Sequence, residues 1–455
     1  MRRSIFSSIV LIQLLFTAGI AQNPEWVVYD TSNSDLPSNY VNSIAIDSSG
    51  TKWIGTNDGV ASFDGTNWTV YNTSNSDLPY NSVESIAIDT NGNIWFGNWG
   101  SGSGLTSFDG TYWTVYDTSN SDLPSNHVSS IAIETDGTKW IGTNDGLASF
   151  DGTNWIVYDT SNSDLPDNRI GPIVIDSSGI KWMGISIYVF AGSWGHGLVS
   201  FDGTNWTVYD TSNSDLPSDV VCSIAIDGSG NKWIGTGGWY EHPRGLALFD
   251  GTNWTVHDTS NSELPWNVIT SISIEDNENI WIGASIHTLL GDMVGYGLIS
   301  FDGIIWTVFD ESNSGLPSDA ITSIVIADTG NKWIGTWAGG LAVFNEGGII
   351  TEIDDYTHCR VLTTDFRLYQ NFPNPFNPTT TIQYSLPEAG SVKLIIFDIR
   401  GQEVTTLLNT DKPPGNYDVQ WNGMDRSGNL VSTGIYFCRI EAGEFSKTIK
   451  MLFLQ

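Results

Sequence analysis

A pair of tryptophans returns seven times along the chain at a constant separation. The two members are 27 residues apart in every copy. A phenylalanine lies five residues before the first tryptophan of the next pair at all six junctions. We call these tryptophans and phenylalanines at constant spacing the frame. Such a regular frame predicts a repeat architecture, in which one structural unit is copied along the chain. The pairs are Trp26 and Trp53, Trp68 and Trp95, Trp113 and Trp140, Trp155 and Trp182, Trp206 and Trp233, Trp254 and Trp281, and Trp306 and Trp333.

Variation in repeat length falls between the second tryptophan and the phenylalanine that follows it. These steps are 10, 13, 10, 19, 16, 20 and 11 residues. A constant frame with one variable loop per unit is typical of repeat folds that carry a specific surface on one face. The longest inserts fall in repeats 4 to 6.

Each unit contains four short segments rich in β-branched and aromatic residues, separated by turn residues such as Asp-Gly and Ser-Gly. We name the predicted strands a to d. Seven such units predict an all-β chain whose main part is a seven-bladed β-propeller. An open β-solenoid is the alternative fold, but it would leave exposed sheet edges. In the first unit the strands are Val41–Asp47, Lys52–Thr56, Val60–Asp64 and Trp68–Asn72.

Two segments are candidates for the strand that closes the ring. Trp26–Asp30 can form the outer strand of the last blade, and Ile349–Asp354 lies in the same register after Phe344. We favour Trp26–Asp30 because its sequence Trp-Val-Val-Tyr-Asp keeps the full pattern of an outer strand.

The chain starts with a segment that has the features of a secretory signal peptide. Arg2 and Arg3 precede the mostly apolar stretch Ile5–Ile20, and small residues favour cleavage after Ala21. A membrane anchor is the alternative, although the stretch is shorter than the ~20 apolar residues of a typical span. The predicted organisation is a signal peptide at 1–21, a propeller at 22–354, a linker at 355–367 and a C-terminal domain at 368–455.

Charge separates the two main regions and excludes one class of partner. The net charge is −33, and residues 22–365 alone carry −35. Such an acidic surface excludes a nucleic-acid binder, which needs basic residues to neutralise phosphates. No later segment is apolar enough for stable membrane insertion. Cys222, Cys359 and Cys438 are far apart and lack metal-ligand spacing, so no disulfide framework is expected.

The run Asn91–Gly97, with its counterparts in the other repeats, resembles the two-component-regulator propeller repeat over residues 24–354. In that family such propellers often form the sensor half of membrane kinases. Here no kinase region follows, so the signalling role is not expected. The sialidase Asp-box is a competing match, but sialidases need three arginines and the propeller has only Arg169 and Arg244.

The C-terminal region resembles the type IX secretion sorting domain of Bacteroidetes-like bacteria, and also the immunoglobulin-like domain of flagellar hook-capping proteins. The resemblance implies a small Ig-like β-sandwich that engages the type IX secretion machinery through residues 368–455. It also implies an extracellular or outer-surface location in a Gram-negative bacterium. The alternative is an ordinary binding domain that stays on the protein. The matching stretches are Asn371–Pro378, Phe397–Val404, Trp421–Gly428, Thr433–Tyr436 and Lys450–Leu452.

Connections in an antiparallel meander alternate between its two ends, so the b–c loops and the d–a joining loops should share one face. All five propeller tryptophans outside the frame map to this face, with three tyrosines. Aromatic side chains there suit stacking on sugar rings or on partner side chains. Alternatively, they fill the loops and pack on one another. These residues are Trp99, Trp194, Trp239, Trp266, Trp337, Tyr188, Tyr240 and Tyr296.

Three histidines lie in the long inserts of consecutive repeats. With Glu241, Arg244 and Asp292 they are candidates for a metal or acid–base cluster, and solvated loop histidines are the alternative. The insert from Ala284 to Gly297 is long enough for a tall hairpin. The histidines are His196, His242 and His287.

The Asp/Ser/Asn-rich joining loops offer a possible Ca²⁺ site through Asp30 and Asp35, but side-chain bonding within the turn explains them better. The lysine that precedes the second tryptophan in five repeats is expected to belong to the frame. Otherwise no cofactor is expected.

These features favour a secreted or surface-attached, non-enzymatic binding module for a glycan or protein partner. A lyase or hydrolase with a site in the loops of blades 4 to 6 is the first alternative, and a structural exoprotein is the second. The candidate ligand-binding residues are Trp99, Trp194, His196, Trp239, Tyr240, His242, Arg244, Trp266, His287, Tyr296 and Trp337.

Overall fold

The computed structural model forms two compact units, residues 1–352 and 353–455. It describes residues 25–98, 100, 103–189, 192–237, 245–287, 293–346, 348–349, 366–369, 371, 374–386, 390–412, 415–426, 428–443 and 445–454. Across these ranges, no helix has the length and apolarity that crossing a membrane requires. The predicted signal peptide and residues 355–365 of the predicted linker lie outside them.

The first unit consists of seven antiparallel four-stranded sheets, which are the blades of the propeller. Strands a are Val41–Ile46, Val83–Ile88, Val128–Ile133, Ile170–Ile175, Val221–Ile226, Ile269–Ile274 and Ile321–Ile326. Strands b are Lys52–Thr56, Ile94–Asn98, Lys139–Thr143, Lys181–Val189, Lys232–Thr236, Ile280–His287 and Lys332–Thr336. Strands c are Gly59–Phe63, Leu105–Phe108, Gly146–Phe150, Gly192–Phe201, Gly245–Phe249, Met293–Phe301 and Gly340–Phe344. Strands d are Trp68–Tyr71, Trp113–Tyr116, Trp155–Tyr158, Trp206–Tyr209, Trp254–His257, Trp306–Phe309 and, in blade 7, Trp26–Tyr29.

The ring is closed at both its inner and its outer strands. Strands a of successive blades contact one another, and strand a of blade 7 contacts strand a of blade 1. Strand Trp26–Tyr29 pairs with Gly340–Phe344, and the Trp26 ring stacks on Phe344 with centroids 4.3 Å apart. The preferred closing strand is therefore confirmed. Because a single blade cannot bury both of its faces, closure gives the first and last blades the neighbours that every other blade has.

The second tryptophan of each repeat joins one blade to the next. Trp140 is buried with Ile170 and Phe201 of blade 4, and its indole N–H donates to Glu134 Oε1 at 2.9 Å. Lys181 of blade 4 extends over the Trp140 ring, 4.5 Å from its centroid, and pairs with the Glu134 carboxylate. A buried lysine is tolerated here because both the aromatic face and the carboxylate stabilise its charge. The predicted frame role of these lysines is confirmed.

Blade 7 departs from this arrangement. Ala327 stands where the other blades have an aspartate or glutamate, and among the described residues Trp333 Nε1 has no hydrogen-bond acceptor. Lys52 of blade 1 lies over the Trp333 ring at 5.0 Å. Burial lowers the pKa of Lys52 to about 8, and the charges of Asp47 and Asp64 oppose that shift only in part. The junction between blades 7 and 1 therefore lacks one polar element of the frame.

The glycine two residues after the second tryptophan has a steric role. An added Cβ at Gly55 would lie 3.0 Å from Val83 of the next blade, and one at Gly335 would lie 2.7 Å from Val41. Neither glycine has a positive φ, so close approach of the next strand a, not backbone conformation, requires glycine here.

The second unit is a two-layer sandwich with one core. One sheet contains Arg367–Leu368, Thr380–Leu386 and Gly415–Trp421. The other contains Glu403–Lys412, Gly390–Asp398, Gly434–Ala442 and Phe445–Phe453, in that order. Trp421 is fully buried between the layers, and its indole N–H donates to the Met424 carbonyl at 3.0 Å. The predicted Ig-like sandwich is confirmed, with one short strand at 367–368 that was not predicted.

Candidate functional site

The b–c loops and the joining loops form one face of the propeller, which we call the insert face. Backbone hydrogen bonds connect the two sets of loops directly. Gly245 N–H donates to the Asn267 carbonyl at 2.8 Å, and Trp337 N–H donates to the Ala320 carbonyl at 2.8 Å. The expectation that these loops share a face is confirmed by these contacts.

The inserts of blades 4 and 6 extend strands b and c into β-hairpins on this face. In blade 6, Ser285 pairs with Gly295 and His287 with Met293, beyond a register shift after Gly283. The predicted hairpin between Ala284 and Gly297 is therefore present. An added Cβ at Gly295 would lie 1.8 Å from the Asp319 carbonyl carbon, so the hairpin packs tightly against the next joining loop.

Two of the predicted aromatic residues are paired with tyrosines. The Trp266 and Tyr296 rings stack in parallel, with centroids 4.6 Å apart and an interplanar angle of 4°. Trp337 meets Tyr40 edge to face at 5.0 Å. All four side chains remain partly accessible. Packing of the face aromatics on one another is therefore present at these pairs, and each pair still offers surface to a ligand.

The side chains of most of the remaining aromatic and charged candidates lie outside the described part of the chain. Trp99, Trp239, Tyr240, His242 and Arg244 lie outside the described residues. Trp194 and His287 have defined strand positions, opposite Ile187 and Met293, but their side chains lie outside the described part.

Of the three insert histidines, only the side chain of His196 is described. Its Nε2 atom is 3.9 Å from Asp167 Oδ2 of the preceding joining loop, and both side chains are partly exposed. Within the described ranges no three His, Cys, Asp or Glu side chains form a potential metal site. Convergence of the three histidines stays a prediction.

The joining-loop aspartates bond to their own turns. Asp30 Oδ1 accepts hydrogen bonds from the Ser32 N–H at 2.6 Å and the Ser32 hydroxyl at 2.5 Å. The Ser32 hydroxyl and N–H lower the pKa of Asp30. The same pairing recurs at Asp117 and Asp159, so the turn interpretation accounts for these side chains.

A polar cluster on this face was missed in the sequence. Glu84 Oε1 accepts a hydrogen bond from the Ser82 hydroxyl at 2.9 Å, and the Asn42 side-chain amide lies 3.5 Å from it. The same Asn42 amide donates to Asn57 Oδ1 at 3.0 Å. These residues come from two blades and two kinds of loop. Comparing the second residue of strand a across the repeats would have singled out Glu84, because only that blade has an acid there.

Family models match both units. The two component regulator propeller model matches residues 35–58 and 77–100, and the FlgD Ig-like domain model matches residues 377–444. No curated protein matches the chain in sequence.

Solved structures show the same fold at low sequence identity. PorZ, described as an essential bacterial surface component of the type IX secretion system of Porphyromonas gingivalis, is 19% identical with a TM-score of 0.55. The alignment covers 94% of this chain and 61% of PorZ. The extracellular domain of the putative hybrid two component system BT3049 from B. thetaiotaomicron is 18% identical, with a TM-score of 0.58 and coverage of 94% and 57%. This chain thus spans less than two thirds of either structure.

Another solved structure matches a smaller share of this chain. Virginiamycin B lyase from Staphylococcus aureus is 12% identical with a TM-score of 0.53, over 70% of this chain and 99% of the lyase. At these identities the likeness concerns the fold. Together, the matches assign to this chain a propeller with repeats of the two-component-regulator type, followed by a domain similar to the FlgD Ig-like domain.

Proposed function

We propose that this protein is an extracellular, non-enzymatic binding module that recognises a glycan or protein partner through the insert face. The observation that carries the proposal is the confinement of variation to that face. Frame positions repeat in every blade, whereas the b–c segments differ in length and form hairpins in blades 4 and 6. Loops on a rigid scaffold are the usual place for a specific binding surface. BT3049 is described as an extracellular domain and PorZ as a surface component, and the similarity of this chain to both supports an extracellular location.

The exposed parts of the aromatic pairs give the face its binding chemistry. In each pair a tyrosine ring packs on an indole and fixes its angle. The pairs are Trp266 with Tyr296 and Trp337 with Tyr40. A ring already held by a neighbour loses little conformational entropy when a ligand packs on it. Such rings suit the apolar face of a sugar or an aromatic or basic side chain of a protein.

We expect Trp337→Ala to weaken ligand binding at least tenfold while leaving the melting temperature within a few degrees. The labelled full-length chain is applied to arrays of oligosaccharides and of short peptides, with and without Ca²⁺ and Zn²⁺. The strongest ligand is then titrated against the variant.

Tyr112→Ala is the matched control, because Tyr112 is an aromatic residue that is 74% exposed in a c–d turn, on the opposite face. Equal affinity of the Trp337→Ala variant and the native chain would refute this assignment of the face. Metal-dependent turnover of a bound ligand would favour the lyase or hydrolase alternative instead.

We also propose that residues 368–455 direct export by the type IX secretion machinery. The FlgD Ig-like match and the strand Phe445–Phe453 with its Lys-Met-Leu sequence support this role. In a Bacteroidetes host with an active type IX system, we expect the full chain outside the cell and a chain ending at residue 444 in the periplasm. A host lacking the system is the control, and export of the full chain from it would contradict the proposal.

A further inference from the structure

The second residue of strand a makes the same hydrogen bond in four of the seven blades. Its side chain donates a hydrogen bond to the carbonyl of the first strand-a residue in the next blade. Asn42 donates to Val83 at 3.2 Å, and Thr322 donates to Val41 at 2.5 Å, across the junction that closes the ring. Ser129 and Thr270 make the same bond. These bonds join neighbouring inner strands around the central channel.

Glu84 occupies this position in blade 2. An ionised carboxylate has no proton to donate, so it cannot make the bond to the Val128 carbonyl that a serine, threonine or asparagine would make. Glu84 therefore replaces a stabilising contact between blades with a charge at the inner edge of the ring. Gly171 of blade 4 also has no side chain that can donate this bond, but Glu84 alone places a charge at the position, which calls for a role outside the frame.

The Glu84 carboxylate lacks the partner that a largely buried charge needs. Among the described residues no lysine, arginine or histidine forms an ion pair with it, and the two hydrogen bonds it accepts, from Ser82 and Asn42, both go to Oε1. Burial raises the pKa of Glu84, and the Ser82 hydroxyl opposes the shift. Burying an unpaired carboxylate costs several kcal/mol unless a cation or a proton compensates it.

We propose that the mouth of the central channel on the insert face binds a cationic nitrogen group, an ammonium or a guanidinium, with Glu84 as its counter-charge. The Asn42 amide contacts both Glu84 Oε1 and Asn57 Oδ1, and the Ser82 hydroxyl fixes the orientation of the carboxylate. The charge of −35 on residues 22–365 attracts cations to this part of the chain. The group can belong to a free amine or to a basic side chain of a protein. The inference rests on the proposed binding role of the insert face and names the chemistry recognised at its centre.

The test uses the full-length chain and defined probes. Butylammonium and butylguanidinium represent free amines. Capped Gly-Gly-Lys-Gly-Gly and Gly-Gly-Arg-Gly-Gly represent basic side chains, and the same peptide with norleucine is the uncharged control. We expect calorimetric titration to show at least tenfold preference for a charged probe over the norleucine peptide. Binding of the peptides alone identifies a basic protein segment, and equal binding of the small amines identifies a free amine.

Three variants separate the site from the fold. Glu84→Gln removes the charge and should abolish the preference for charged probes, whereas Asp58→Asn removes an exposed charge of the same face and should preserve it. Glu84→Thr should also abolish the preference, and its melting temperature should rise because the hydroxyl can donate to the Val128 carbonyl. A preference that survives Glu84→Gln, or native protein without any preference, overturns the proposal. If these probes fail while Trp337→Ala still weakens an array ligand, only the cation site is refuted and the binding role of the face stands.

Discussion

Gly335→Val is expected to lower the free energy of unfolding of the propeller by about 3 kcal/mol or more. A Cβ at Gly335 would lie 2.7 Å from Val41 Cγ1 and 3.0 Å from Thr322 Oγ1. Val41 is completely buried, so it has no free space to move into. The branched side chain must therefore push blade 7 away from blade 1, which loosens the closing junction. Urea unfolding followed by tryptophan fluorescence measures the loss.

Two further variants make this result interpretable. Gly228→Ala should be nearly neutral, because a Cβ there meets only Glu278 Oε1 at 3.8 Å and other blades carry Ser48 or Thr90 at the same turn position. Gly142→Val should cost as much as Gly335→Val, because it crowds Ile170 at the junction of blades 3 and 4. If Gly142→Val destabilises the protein and Gly335→Val does not, blades 7 and 1 are not packed together and the ring is open.

The fold could be predicted from the sequence because each element of it is repeated. A single run of tryptophan, an apolar residue and glycine is a weak signal, but seven copies at one spacing leave few architectures. The pattern of Trp26–Asp30 also identified the closing strand, since it matches the outer strands of the other blades. The effect of having Ala327 in place of an acid could not be predicted in the same way. It involves Lys52, which is far from Ala327 in the sequence and lies beside blade 7 only when the ring is closed.

The site was less predictable because it depends on contacts between repeats. Trp266 and Tyr296 were correctly assigned to one face, but their stacking joins a loop before blade 6 to a strand within it. Glu84 was missed because its significance comes from comparison with the equivalent residue of each blade, and from desolvation at the inner ring. The variable inserts have no frame to constrain them, so their length predicts a hairpin but not which side chains converge.

The second large effect is a gain in stability. We expect Ala327→Asp to raise the free energy of unfolding by about 2 kcal/mol, because it gives several polar groups a charged acceptor. In blade 1 the equivalent Asp47 accepts hydrogen bonds from the Ser49 and Thr51 N–H groups at 2.9 and 3.0 Å, and from the Trp53 indole N–H at 3.1 Å. Blade 7 has the same turn, with Gly330 N–H bonded to the Ala327 carbonyl, so an aspartate fits without rearrangement.

The new carboxylate would also face Lys52, whose pKa of about 8 lies below its ordinary value of 10.5. An acid nearby raises that pKa, so the stabilisation is fully present below about pH 8, where Lys52 is protonated, and shrinks as the lysine loses its proton at higher pH.

Ala327→Asn separates the two contributions, since it can cap the turn without a charge and should give a smaller gain that does not change between pH 7 and 10. Asp176→Ala is the reciprocal control, because Asp176 accepts from the Trp182 indole N–H and pairs with Lys232 of the next blade, and it should cost about as much as Ala327→Asp contributes. If Asp176→Ala destabilises the protein and Ala327→Asp stabilises it no more than Ala327→Asn does, the acid of the frame acts through its own turn alone. The indole and lysine contacts between blades would then contribute little to holding the ring together.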